Sequence, residues 1–217
     1  ELDTMAPFSS EVYTVDDIKA SKSSNVYDFL TQNTSLTLAP SSGNRFSQKI
    51  ATRGYGLTNG YQNIVITLNG RRLNNIDDSS QEINAININS IEKIEITKGS
   101  GSVIYGDNAM AGVINIYTIR GAETKTSTSM GNYGLQDRAI SFGLFEDNFN
   151  LNASIDSLVH GGYGSDDPLG NKDKGDQSNA NLGLGYLFNN GTDIQFNYSK
   201  NRVNNRYPNW VTKAQFD

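Results

Sequence analysis

Two kinds of hydrophobic pattern divide the chain, and they meet near Arg120. Before that point, short apolar pieces of different types follow one another. Residues 12–15 predict a strand. Asp16-Asp17 then read as the start of a helix carrying Ile18, and Ser24 as the start of a second helix with Val26-Tyr27 and Phe29-Leu30. β-branched runs follow at residues 64–68, 91–96 and 113–116. They are separated by Asn69-Gly70 and glycine-rich breaks, as strands are in a small α+β domain.

Beyond Arg120 the pattern becomes monotonous. Phe149, Leu151, Ala153 and Ile155 alternate with Asn150, Asn152, Ser154 and Asp156. The same alternation runs through Ala180, Leu182, Leu184, Tyr186 and Phe188, and again through Ile194, Phe196 and Tyr198. Ile140, Phe142 and Leu144 mark a further strand, and residues 122–130 a Thr-rich one. Five strands of roughly ten residues are expected, each apolar on one side and polar on the other. Tight turns at residues 146–148 and 189–191 contrast with a long Gly- and Asp-rich loop over residues 161–177. Short turns at one end and long loops at the other match a transmembrane β-barrel. An antiparallel sandwich with one wet face per sheet gives the same alternation. The polar face is rich in Asn, Ser, Asp and Gln, and Phe145, Phe149, Phe188 and Tyr198 are placed at strand ends. A water-lined lumen and an interfacial aromatic girdle produce both features.

Composition narrows the classes. No apolar run approaches the ~18 residues of a membrane-spanning helix. The net charge of −5 and the lack of a Lys/Arg cluster argue against a nucleic-acid partner. With no Cys among 217 residues, disulfides, thiolate zinc sites and Cys nucleophiles are excluded. His160 is the only imidazole. Asp77-Asp78 and Asp166-Asp167 read as solvated loop acids rather than acid/base dyads, so no enzyme is expected. No leader opens the chain, so a secreted protein is expected here in its mature form.

Residues 96–118, ITKGSGSVIYGDNAMAGVINIYT, pose the sharper question. Gly99-x-Gly101 is followed by Gly106, off the dinucleotide spacing, and no Lys-Ser/Thr pair completes a P-loop. Both phosphate motifs need a following helix, whereas this chain re-enters a strand. Gly99 and Gly101 are expected to let the backbone turn sharply and approach other chain closely. Ile94 and Ile96 are expected to pair with Val113, Ile114 and Ile116 over a small core.

This stretch closely resembles the closing segment of the plug domain of TonB-dependent outer-membrane receptors. VYTVDDIKAS, VYDFLTQNTSL, IATRGYG and NIVITLNGRRLN precede it in that family's order. The resemblance implies a plug domain over residues 1–120. Residues 121–217 would be the first antiparallel strands of a 22-stranded barrel. On that reading 217 residues are too few to close the barrel, and an N-terminal fragment is expected. A receptor in the bacterial outer membrane is implied, in contact with its lipid and energised through TonB, taking up a scarce metal chelate. Cobalamin and ferric siderophores rank ahead of haem. A soluble periplasmic binding or adhesion module with a β-sandwich second half stays open as a different class.

The resemblance also places candidate residues. Leu2, Asp3, Thr4 and Met5 resemble the start of a TonB box. Asn44, Arg45 and Phe46, with Asp77, Asp78 and Ser79, fall on polar segments at the expected ligand-facing apices. Arg53, Glu95 and Lys98 are implied in a charged cluster between plug and barrel. This chain has Lys98-Gly99-Ser100 where the family commonly has Arg-Gly-Pro, and Lys cannot form the bidentate fork of Arg with a carboxylate. Finally, Asp166, Asp167, Asp173 and Asp176 lie within eleven residues, interrupted by Gly170 and Gly175. Clustered carboxylates and loop carbonyls suit calcium, and the cobalamin-receptor type carries calcium-binding aspartates in the corresponding loop.

Overall fold

The computed structural model describes residues 9–41, 44–51, 64–74, 83–99, 109–119, 121–162, 166–167 and 170–206. The chain forms two compact units, one within Glu1–Ser41 and Arg45–Arg120, the other comprising Gly121–Asp217 with Ser42–Asn44.

The first unit opens with β1 (Ser9–Thr14), α1 (Val15–Ser21) and α2 (Val26–Asn33). The Asp17 carboxylate accepts from both the Thr14 N–H (2.8 Å) and the Thr14 hydroxyl (2.7 Å). These bonds close the first turn of α1 on Thr14, so Val15 begins the helix and does not extend the strand. α2 is capped one residue beyond Ser24, by Asn25, whose side chain accepts from the Asp28 N–H at 2.8 Å. β2 (Thr37–Ser41) pairs with β3 (Asn44–Ala51) in a separate two-stranded sheet. Asn44, Arg45 and Phe46, expected in a loop, therefore open a strand: backbone pairing, invisible in their polar pattern, decides their conformation.

β4 (Ile64–Leu68), β5 (Arg71–Arg72), β6 (Ile91–Lys98) and β7 (Gly112–Thr118) join β1 in a sheet of order β1-β6-β7-β4-β5. All neighbours are antiparallel except β4 and β7, which are parallel. Asn69 (φ 51°) and Gly70 (φ 83°) turn β4 into β5, the left-handed pair that a two-residue hairpin requires. Ile94 faces Ile116 and Ile96 faces Ile114 across β6 and β7, as the apolar runs predict. Together with Ile18, Tyr27, Phe29, Leu30, Ile64 and Ile66 they form the buried core. Val65 and Val113 point to the other face and pack with Ala109, so β4 and β7 are covered on both sides. That explains why apolar residues occupy consecutive positions in both strands. On that second face the buried Thr67 hydroxyl donates to Asn115 at 2.7 Å.

The second unit is a meander of β8 (Thr124–Met130), β9 (Gln136–Glu146), β10 (Phe149–His160), β11 (Gly175–Leu187) and β12 (Asp193–Asn205). Register gathers the alternating residues into rows. Phe142, Ala153, Leu182 and Tyr198 share one row, and Leu144, Leu151, Leu184 and Phe196 the next. Tyr198 thus lies in the middle of β12, not at its end, whereas Phe149 and Phe188 stay at the short-turn end. The apolar rows are the exposed ones: Ile155 is 61% exposed and Phe196 56%. Opposite them, Asn179 is 3% exposed and Gln177 2%. A water-soluble sheet has the reverse arrangement.

Gly112 is a tight point in the first unit. A Cβ added there would lie 2.6 Å from the Thr97 carbonyl oxygen, a backbone atom of the paired strand that cannot move aside. Gly112→Val is expected to destabilise the β6–β7 pairing by about 2 kcal/mol, in the range of other backbone clashes. A lower midpoint of chemical denaturation would register it, and an unchanged midpoint would refute the account.

Candidate functional site

In the first unit the polar chemistry concentrates at the β1–β6 seam. β1 is an edge strand, held on one side only, by β6. Glu11 and Tyr13 stand on the same face, as alternate residues do. The Glu11 carboxylate pairs with the Lys98 ammonium and accepts from the Ser35 hydroxyl at 2.7 Å and the Tyr13 hydroxyl at 3.1 Å. Partial burial works to raise the Glu11 carboxyl, but its hydrogen bonds from Lys98, Ser35 and Tyr13 prevail and hold it below the ordinary range. Burial, and then the hydrogen bond to Glu11, push the Tyr13 phenol up to about 12. A few residues along, Glu95 pairs with Lys93 at 2.6 Å, and Tyr117 donates to Glu95 at 3.2 Å while lying under the Lys93 ammonium.

The second unit carries a polar ladder on its buried face. Asn179 donates to Asp156 at 2.6 Å, and Asn201 donates to Asn179 at 2.7 Å. Gln177 donates to the same Asn179 oxygen at 3.3 Å. Three strands are thereby tied by side chains as well as by backbone.

The expected site residues are distributed as follows. Glu95 and Lys98 do not pair with each other. They sit three residues apart on β6, so their side chains leave opposite faces of the strand, and each takes a partner on its own side. Arg53, Asp77, Asp78, Ser79 and Leu2, Asp3, Thr4 and Met5 lie outside the described residues, as does Gly101. Gly99 is described, with φ 114°, and its N–H donates to the Ala111 carbonyl at 3.2 Å. The four loop aspartates do not converge. Asp166 lies 3.9 Å from Lys172, and Asp167 accepts from the Asn171 N–H at 2.9 Å and lies 3.7 Å from Arg206. Asp176 belongs to β11, not to the loop, and accepts from Asn204 at 3.0 Å. Among the described residues no three acidic or His side chains are placed to hold a metal ion. Asp166, Asp167 and Asp176 thus each take a separate local partner.

Glu11 and the Asp156–Asn179–Asn201 row were not singled out by sequence reasoning. Alternation within residues 9–14 puts Glu11 and Tyr13 on one face, but only the register Glu11↔Ile96, one step from Ser10↔Thr97, brings Lys98 within reach. The row likewise depends on pairing three strands in register.

Residues 3–113 match the family model described as TonB-dependent Receptor Plug Domain. Among curated proteins, the vitamin B12 transporter BtuB of Vibrio vulnificus (strain CMCP6) is 28% identical over 110 residues, which are 51% of this chain and 17% of that protein. Among solved structures, the copper transporter OprC superposes with a TM-score of 0.70 at 18% identity, over 92% of this chain and 31% of that one. The siderophore receptor PiuA from Acinetobacter baumannii gives a TM-score of 0.69 at 18% identity, over 91% of this chain and 27% of that one. The two structures show a shared fold, and the chain spans no more than about a third of the length of any of the three proteins.

The seam at Glu11 is expected to be stable over a window of pH. Because its folded pKa is depressed, Glu11 contributes fully above the ordinary carboxylate range, and the contribution is lost as pH falls through the depressed value. Tyr13 is raised, so its contribution is complete below 10 and lost as pH rises through about 12. Denaturation midpoints followed across pH should lose their acid limb in Glu11→Gln and their alkaline limb in Tyr13→Phe. Variants that retain both limbs would place the titrations elsewhere.

Proposed function

The chain belongs to the TonB-dependent receptor plug family, and from that premise we propose that it is part of an outer-membrane receptor that imports a metal chelate, energised through TonB. Relatives and structural neighbours of this chain are receptors and transporters, named for vitamin B12, copper and siderophores. A corrinoid or ferric siderophore is the cargo class we favour, and the vitamin B12 transporter's match over 110 residues puts a corrinoid first for testing.

The observation that carries the membrane reading is the inverted sheet. Exposed Ile140, Ile155, Ile194, Phe196 and Tyr198 face away from a buried row of Asn and Gln. Burying that apolar face in hydrocarbon removes it from water at roughly 25 cal/mol per Å². A soluble β-sandwich would bury the same face under a second sheet, whereas these side chains are exposed. Outer-membrane residence and contact with its lipid follow from this reading.

Two site assignments belong to the proposal. Leu2 to Met5 would act as the TonB box, captured by strand addition, which works through main-chain hydrogen bonds and tolerates unusual side chains. Asn44, Arg45, Phe46, Asp77, Asp78 and Ser79 would contact the chelate. Binding residues concentrate in segments carried by a rigid scaffold.

Removing residues 1–5 from the full-length receptor should abolish uptake while surface binding of the chelate persists. Loss of binding, or undiminished uptake, would refute the TonB assignment. A deletion strain grown on single cobalt- or iron-chelate sources identifies the cargo. With that chelate in hand, Arg45→Ala combined with Asp78→Ala should weaken binding at least tenfold, since each removes a charge-assisted contact of about 1.5–3 kcal/mol. Unaltered affinity would remove these two residues from the ligand surface.

A further inference from the structure

The apolar face of the second unit does not end evenly. At the short-turn end its last row is Glu146, Phe149, Tyr186 and Ile194, with one anion and no cation. At the long-loop end the row beyond Ile140, Ile155, Ala180 and Lys200 is Arg138, Ser157, Ser178 and Arg202. All four of those side chains are exposed, as is Lys200. The rim therefore reads Arg-Ser-Ser-Arg across four adjacent strands, with a lysine on the row below. Three strand spacings separate the two arginines, about 14 Å. Among the described residues no carboxylate pairs with Lys200 or Arg202, and Arg138 donates only to the neutral Gln136 at 3.2 Å. The nearest carboxylate on this face, Asp176, sits one row further out and is held by Asn204.

Depth fits this rim to a membrane surface. Ser157 lies eight residues beyond Phe149 on β10. At about 3.4 Å per residue that is about 27 Å along the strand, and at a strand tilt of ~40° about 20 Å of depth, close to the ~25 Å apolar band of such barrels. Long connections mark the external side, so the cations stand where the outer leaflet's headgroups begin. Lys200 can reach them by keeping its aliphatic stem beside the apolar residues of its own row while its ammonium rises to the rim.

We propose that Arg138, Lys200 and Arg202, with the Ser157 and Ser178 hydroxyls between them, form a binding strip for the phosphate groups of an outer-leaflet lipid on the outside wall of the barrel. The proposal rests on the membrane reading above and concerns a surface remote in character from the chelate site: it fixes lipid and does not select cargo. Guanidinium groups bind phosphate in bidentate fashion, and cations near an anionic surface add to that attraction.

The test uses the full-length receptor in nanodiscs doped with lipid A bearing its phosphates or with the dephosphorylated form, the retained lipid being counted by native mass spectrometry. The wild type is expected to retain the phosphorylated lipid about tenfold better. Arg138→Gln, Lys200→Gln and Arg202→Gln together should abolish that preference. Arg138→Lys with Arg202→Lys should keep most of it, and Lys125→Gln, on the opposite face, should keep all of it. If the triple variant does not insert, the single Arg202→Gln change should still lower the preference about threefold. No preference in the wild type, or full preference in the inserted glutamine variants, overturns the lipid strip alone. A receptor that remains water-soluble and enters no nanodisc overturns the membrane reading and the strip with it.

Discussion

A sheet that turns its apolar face outward must find partners for the polar side chains on the face behind it, and much of the second unit is organised by that requirement. Burying an amide without a partner costs about 1–3 kcal/mol in proteins, so the Asn-rich face is affordable only as a network. Asp156, Asn179 and Asn201 supply it in one row, and Ser154 accepts from Asn181 in the next at 3.4 Å. Even the glycines of β11 serve this end. A Cβ at Gly185 would come within 2.3 Å of the Asn150 amide, which lies across the space that the missing side chain leaves.

The first unit meets a different demand with the same tools. Its two central strands, β4 and β7, are buried on both faces, and the one polar pair they bury, Thr67 and Asn115, is mutually satisfied. Its outer strand β1 is attached through backbone pairing to β6 and through the Glu11 cluster. One partially buried carboxylate serving three donors makes that attachment dependent on protonation in a way the apolar core is not.

The cargo leaves little trace in these strands. Repetition of backbone pairing and alternating side chains builds the second unit, while the segments proposed for recognition are 44–46 and 77–79. The two solved structures share this fold yet are named for different cargoes, copper and a siderophore, as expected where a fold does not fix its ligand.

Local pattern by itself determined much of this protein. Period-two alternation gave β9 to β12 their existence and sidedness, because a strand's side chains alternate whatever it pairs with. The unbroken β-branched runs marked β4 and β7, and Asn69-Gly70 marked a turn, because left-handed φ has few tenants. The ordered motifs around residues 96–118 carried the family. Tertiary structure alone decided which charges meet. Lys98 reaches Glu11, 87 positions away, and not Glu95, three positions away on its own strand. Asp166, Asp167 and Asp176, which crowd one stretch of sequence, find three separate surroundings. Arg138 and Arg202, 64 residues apart in the chain, come to stand in one row. Alternation says which face a side chain occupies, but only strand register, set by pairing across long sequence separations, says what stands beside it.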